Sequence, residues 1–249
     1  MNTIYTIWLR EMIRFFRAKS RIIGSLGMPF FFLVILGTGF SSAFNISMGR
    51  NRYIDFMMPG VIGMILLFSS MFTGFSVIWD KQFGFLKEIM VAPVSSSGVV
   101  LGKALGGSTT ALIQAILMLL LSLVIGIKLP SFSGILLSLI FMFLTSFPLV
   151  TLGIAFASKM NDPHGYQLMV NFLIMPMFLL SGAFFPLDKL PNWLKYAFYL
   201  NPLSYGVDGL RAALIEVTQF SVIKDLTVLI IFSAVIFLIA SYLFRKNSY

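Results

Sequence analysis

A lone histidine, His164, and a serine beside glycine, Ser181-Gly182, are the groups from which this chain could assemble a nucleophile. A hydrolytic serine needs a base within hydrogen-bonding reach. The apolar run Gly165–Leu187 lies between the two and predicts a membrane-crossing helix, which puts His164 and Ser181 at opposite ends. The chain has no cysteine, so thiolate metal sites and thiol nucleophiles are excluded, and one histidine leaves no multi-histidine metal motif. The stretch GVVLGKA, Gly98–Ala104, is similar to a phosphate-binding loop. It is one residue short between its glycines, and Ala104 replaces the hydroxyl that would hold Mg²⁺. We therefore expect no catalytic residue, no metal and no cofactor in this chain. The centres of the apolar runs carry no ionisable residue, which removes the groups that ion-coupled carriers use. Energy for any transport must come from another subunit.

The elements that would hold these residues are hydrophobic spans. Only 11% of residues are charged, against roughly 25% in soluble domains, so the chain is expected to be an integral membrane protein. Six runs reach or approach the roughly 20 residues needed to cross a bilayer: Ile22–Phe44, Met57–Trp79, Ala104–Ile127, Leu129–Ser158, Gly165–Leu187 and Leu226–Phe244. The first exceeds the apolar core of a cleavable signal peptide and lacks its small-residue cleavage site, so it is expected to stay as a span. Six spans put both termini on one side. That side would carry Arg10, Arg14, Arg17, Lys19, Arg21, Lys81, Lys87, Lys103, Lys159, Arg245 and Lys246. The other would carry Arg50, Arg52, Lys128, Lys189, Lys195, Arg211 and Lys224. The excess predicts cytoplasmic termini and a multi-pass protein of the cell (inner) membrane. It also explains the net charge of +9 without nucleic acid.

Two segments outside the spans are amphipathic. In residues 1–21 the arginines Arg10, Arg14, Arg17 and Arg21 share one arc, with Ile4, Tyr5, Trp8, Leu9, Met12, Phe15 and Phe16 on the other half. This predicts an interfacial helix with its arginines toward lipid headgroups and water. We take Arg10, Glu11, Arg14 and Arg17 as its candidate contact residues. Between the second and third spans, Phe83, Leu86, Ile89 and Met90 recur at helical spacing beside Lys87 and Glu88, and Pro93 ends the run. A cytosolic docking helix fits this pattern. At the base of the third span, Gly102 and Gly106 form a small-residue packing surface. The mild polar residues within the spans, among them Ser70, Thr109, Gln114, Thr145 and Ser146, are expected to bond between helices.

The stretch Asn171–Arg211, NFLIMPMFLLSGAFFPLDKLPNWLKYAFYLNPLSYGVDGLR, resembles the signature of type-2 ATP-binding-cassette exporter permeases, the family of daunorubicin-resistance, nodulation-factor and polysaccharide export permeases. The matching elements are Ser181-Gly182, Phe185-Pro186, Pro191 with Trp193, Asn201-Pro202 with Tyr205, and Asp208 with Arg211. Gly84, Leu86, Glu88, Met90 and Pro93 resemble the family's coupling-helix pattern, with Lys87 preceding Glu88 where the family has a simpler Leu-Glu. The resemblance implies a paired second copy, a homodimer, and one cytosolic ATPase subunit docked on each copy. ATP and Mg would belong to that ATPase, and the helix near Phe83–Ala92 would couple to it.

The expected fold is all-α, a single transmembrane domain over 1–249. It comprises an interface helix (1–21), five spans (22–187), an extracytoplasmic region of short re-entrant helices (188–225), and a sixth span with a cytosolic tail (226–249). Pro186 and Pro191 break the chain, and the apolar stretches Leu190–Leu200 and Ser204–Glu216 are too short to cross. They are expected to cap the outer end of a transport path, with Asp208 and Arg211 placed to pair on one helical face. Membrane lipids complete the partners. The expected function is the permease subunit of an ATP-driven exporter of amphipathic or lipid-linked cargo (drug, lipid or glycan). A non-transporting membrane scaffold is the alternative, followed by a secondary transporter.

Overall fold

The computed structural model describes residues 3–44, 47–48, 51–84, 94–127, 130–184 and 191–246. Leu86, Lys87, Glu88, Met90, Pro93, Phe185 and Pro186 lie outside the described residues. The described chain is helical apart from one minimal antiparallel pairing of β1 (Ser47–Met48) with β2 (Asn51–Arg52). Its helices are α1 (Thr3–Arg17), α2 (Lys19–Phe44), α3 (Tyr53–Gln82), α4 (Ser96–Val124) and α5 (Phe132–Lys159). They are followed by α6 (Pro163–Leu179), α7 (Asn192–Leu200), α8 (Pro202–Ile215) and α9 (Val222–Lys246).

Among the described residues, five helices contain segments long and apolar enough to cross a membrane: Ile22–Gly39 within α2, then α3, α4, α5 and α9. The expected fifth span, Gly165–Leu187, differs. Its helix is α6, which ends at Leu179 in a turn through Leu180–Gly182, where Gly182 takes φ 73°. At 1.5 Å per residue, 17 residues reach about 25 Å, short of the roughly 30 Å of bilayer hydrocarbon. The left-handed glycine stops the helix before the apolar run in the sequence does.

The core is the α3–α5 pair, against which α4, α8 and α9 pack. α3 is buried over most of its length, including Met57, Ile62, Leu66, Leu67, Met71 and Ile78. A helix that is apolar all round belongs inside a bundle. By contrast, α2 exposes Ile23, Met28, Phe31 and Ile35, and α6 exposes Leu168, Phe172, Met175 and Leu179.

Helix starts follow local chemistry. Ser95, Ser131 and Asp162 cap α4, α5 and α6 by accepting from backbone N–H groups two or three residues on. Most intrahelical hydroxyls bond to a carbonyl of their own helix rather than across helices, as Thr73 to Ser69, Thr109 to Leu105 and Ser146 to Phe143 do. This corrects the expectation of mainly interhelical bonds. In an apolar surround a hydroxyl has a carbonyl three or four residues back already within reach. Ser70, which donates to the Ser146 carbonyl at 3.3 Å, does cross between helices.

Candidate functional site: an ion cluster at the foot of the bundle and a helical cap at its other end

The foot of the bundle is where α3 ends, α4 begins and α1 lies across both. Asp80, near the end of α3, is 3% exposed and takes three cations. Arg10 forks onto it, Nη2 to Oδ1 at 2.7 Å and Nη1 to Oδ2 at 3.1 Å, the bidentate geometry that suits a planar guanidinium. Lys103 of α4 reaches Oδ2 at 2.5 Å and also donates to Ser76 Oγ at 3.2 Å. Arg14 stands 3.6 Å from Asp80 and 3.6 Å from Glu11, and Lys103 stands 3.6 Å from Glu11. Three cations and two carboxylates thus join α1, α3 and α4. Lys103 is wholly buried, and a buried charge persists only when paired and hydrogen-bonded.

This arrangement revises the expected role of the basic helix. Arg10 and Arg14 turn into the protein, onto Asp80, while Arg17 is exposed. Exposed side chains on α1 include the apolar Tyr5, Ile13 and Phe16, while Ile7, Met12 and Phe15 are buried. α1 can come close because of the glycines singled out in the sequence. A Cβ at Gly102 would sit 2.9 Å from Ile7 Cβ, and one at Gly106 would sit 2.8 Å from Glu11 Cβ. The small-residue surface is therefore the seat of α1, with Trp8 Nε1 bonded to Thr109 Oγ1 at 3.1 Å alongside it. Lys103, which the phosphate-loop resemblance would have aimed at a nucleotide, is inside a continuous helix and committed to Asp80.

Next to the cluster, Lys81 donates to the carbonyls of Ala157, Ser158 and Met160 at the end of α5. A cation there satisfies orphan carbonyls and meets the negative end of the helix dipole. α3 then ends at Gln82. Phe83 lies in the turn, 84% exposed, and Gly84 takes φ 76°. Two of the expected coupling-helix residues thus form the break after α3 rather than part of a helix.

At the other end, α7 and α8 occupy the two non-spanning apolar stretches nearly as expected. Asn201 joins them: its Oδ1 accepts from Leu203 N at 3.1 Å, capping α8, and its Nδ2 donates to Met177 O at 2.6 Å. Pro202 follows at the first helical position, where its missing N–H is harmless. Ser204 donates to Leu180 O at 3.1 Å, and Ser181 donates to Phe178 O at 2.6 Å. Ser181 is thus committed to its own helix end, with the length of α6 between it and His164. Tyr205 donates to Tyr199 O at 2.9 Å and stacks on Phe220. Pro191 sits at the start of α7, from which Trp193 and Tyr196 project, 71% and 73% exposed.

Asp208 and Arg211 do not form the expected pair. Asp208 accepts from the N–H groups of Gln219 and Phe220 at 2.9–3.0 Å, holding the turn into α9. Arg211 donates from Nη2 to Gly182 O at 2.8 Å and lies over the Phe56 ring at 4.0 Å. Helical spacing puts the two on one face, but the backbone groups within reach of each are the nearer partners. Burial pulls the Arg211 guanidinium down to about 10, with the Asp208 charge acting upward, which leaves it charged at neutral pH. The sequence carried no signal for the Asp80–Lys103 pairing, since the two residues sit at the edges of different spans.

The comparisons with known proteins point the same way. Residues 2–215 match the family model described as ABC-2 type transporter. The chain is 29% identical over 261 residues to a transport permease, ycf38, of Cyanophora paradoxa, covering 99% of this chain and 89% of that one. It is 25% identical over 249 residues to the inner membrane transport permease YadH of Escherichia coli, covering 97% and 94%. It is 27% identical over 157 residues to an E. coli protein named as a multidrug ABC transporter permease, YbhR, covering 63% and 42%. With a bundle of membrane-length helices, a basic helix seated across its foot and two short helices capping its far end, the chain belongs to the ABC-2 type transporter family.

Proposed function

We propose that this chain is the permease subunit of an ATP-driven exporter that moves amphipathic or lipid-linked cargo outward. Membership of the family makes it the membrane subunit of an ABC transporter, whose ATPase is a separate cytosolic partner. ATP and Mg²⁺ belong to that partner. The observation that carries the finer reading is the Arg10–Asp80–Lys103 cluster. It ties α1 and the facing ends of α3 and α4 into one unit on either side of segment 83–95. A force applied to that segment by a docked ATPase would move α1, α3 and α4 together. The basic foot supports placing both termini in the cytoplasm, with α6, which runs from beside Gln82 at the foot to the Met177 and Leu180 carbonyls held by Asn201 and Ser204 at the far end, as the sixth crossing beside the five longer helices. The exposed apolar faces of α2 and α6 suit burial against a second copy. α7 and α8 would then act as the outer gate, with the ring of Trp193, Tyr196 and Tyr199 at the headgroup level.

Affinity purification of the tagged chain from its own membranes should bring down an ATPase with its own phosphate-binding loop. Inside-out vesicles should then accumulate an amphipathic dye on adding ATP. Glu88→Ala should abolish transport while co-purification of a second copy persists. Unchanged transport in that variant, or accumulation that a proton uncoupler collapses and ATP does not drive, would overturn the reading.

A further inference from the structure

Two aspartates flank the turn from α8 to α9, and their surroundings are opposite. Asp208 accepts from the Gln219 and Phe220 N–H groups and so closes the turn, over which Phe220 stacks on Tyr205. Asp225, in the first turn of α9, is 0% exposed, and neither of its carboxyl oxygens has a hydrogen-bond partner. α9 packs on α4, α5 and α8. The described titratable residues of α4 and α5 are Lys103 and Lys159, both at the foot of the bundle. α8 offers Tyr205, Asp208 and Arg211, and the charge of Asp208 opposes a charge on Asp225. Arg211 is committed to Gly182 O. Lys224 favours ionisation, but it is exposed and lies over the Phe220 ring at 4.1 Å, where water screens it. Glu216, at the end of α8, is exposed.

We infer that Asp225 is a proton-binding site and that its neutral acid keeps the α8–α9 turn closed. A carboxylate taken out of water with no donor and no paired cation is so costly that the group takes up a proton instead. The site is closed to water, and no group of three acidic or histidine side chains gathers among the described residues. A proton therefore fits where a metal ion has neither room nor ligands. When the carboxyl gives its proton to water, the new charge stands near Asp208 with nothing to bond it. Opening of the turn relieves both carboxylates by admitting water, and it frees the Gln219 and Phe220 amides together with the Phe220 ring. The capped end of the bundle thus loosens as pH rises. The inference rests on the exporter reading only for calling this end a gate, and proton binding is measured without an ATPase.

The test is hydrogen exchange of the full-length chain in detergent across about pH 5–8, with the intrinsic amide rate divided out. Opening that releases one proton becomes about tenfold easier per pH unit between the ordinary carboxyl value of about 3.9 and the folded value. Protection of the amides of residues 217–225 should fall accordingly in the parent, while those of α5 hold. Asp225→Asn, which copies the shape of the neutral acid, should take about tenfold per pH unit out of that slope. Infrared spectra should show a protonated carboxyl C=O band in the parent at about pH 6 that is missing from Asp225→Asn. A parent without the band carries an ionised Asp225 on trapped water, which overturns the site. Equal slopes in parent and variant assign the titration to Asp208 and overturn it as well. Should Asp225→Asn fail to fold, the slope of the parent still decides, since protection independent of pH would refute the latch. The band and slope without ATP-driven transport would support the proton site and sink the exporter reading, whereas ATP-driven transport without them would do the reverse.

Discussion

Lys103 Nζ lies 2.5 Å from Asp80 Oδ2 with the lysine wholly buried, and the two residues bracket the segment that carries the chain from α3 to α4. Their partners are unequal. Without Lys103, Asp80 still holds Arg10 in two hydrogen bonds and Arg14 at 3.6 Å. Without Asp80, Lys103 keeps Ser76 and a carboxylate 3.6 Å away. Asp80→Asn should therefore cost about 3–5 kcal/mol, the range for stranding a buried charge, and Lys103→Met distinctly less. Unfolding of both variants and of the double variant in one detergent would measure the order and the coupling. A Lys103→Met that proves the more damaging would refute this account of the cluster.

The seat of α1 on α4 is set by the absence of side chains at Gly102 and Gly106. Gly106→Ile would drive a branched side chain into Glu11, and overpacking of this kind costs about 1–3 kcal/mol. Because α1 has few other neighbours in the bundle, most of that cost should appear as detachment of α1. Hydrogen exchange should show the amides of residues 3–17 exchanging faster while those of α5 keep the parent rate. Uniformly faster exchange across the bundle would point instead to a global packing defect.

Asn201 makes two separable bonds, one as a cap and one to the end of α6. Asn201→Ala should destabilise by about 1–2 kcal/mol, the usual range for losing a helix cap together with a side-chain hydrogen bond. Asn201→Ser keeps a capping oxygen and gives up the donor to Met177 O, so it should fall between parent and alanine. Serine equal to alanine would show that the bond to α6, rather than the cap, carries the position.

Burial pushes the Asp208 carboxyl above its ordinary 3.8, against the lowering influence of the Phe220 and Gln219 N–H groups and of Arg211. A carboxyl raised in the fold takes up its proton at a higher pH when folded than when unfolded. Its contribution is fullest below 3.8 and shrinks as pH rises through the folded value. The stability of the parent relative to Asp208→Asn should therefore improve as pH falls from 7 toward 4. Denaturant unfolding of the two chains across that range checks the sign, and a difference that moves the other way would mean that the two N–H bonds outweigh burial.

The sequence by itself determined the membrane-protein class, the apolar runs, the basic foot, the two short apolar stretches that became α7 and α8, and the family. All but the last are properties of composition or of local periodicity, which survive without knowledge of what packs on what, and the family was legible only through the motifs between Asn171 and Arg211 that resemble its signature. The glycines Gly102 and Gly106 were legible as a packing surface, though not what they received. Only the tertiary structure decided that α1 fills that surface, that Arg10 and Arg14 turn inward to Asp80, and that Asp208 and Arg211 part company. It also decided where α6 stops, because one left-handed glycine ends a helix that hydropathy would have continued. The reason is common to all of these: a charged side chain several ångströms long chooses among every partner within its reach. That choice depends on which helices the fold brings alongside, and spacing along one helix carries no record of it.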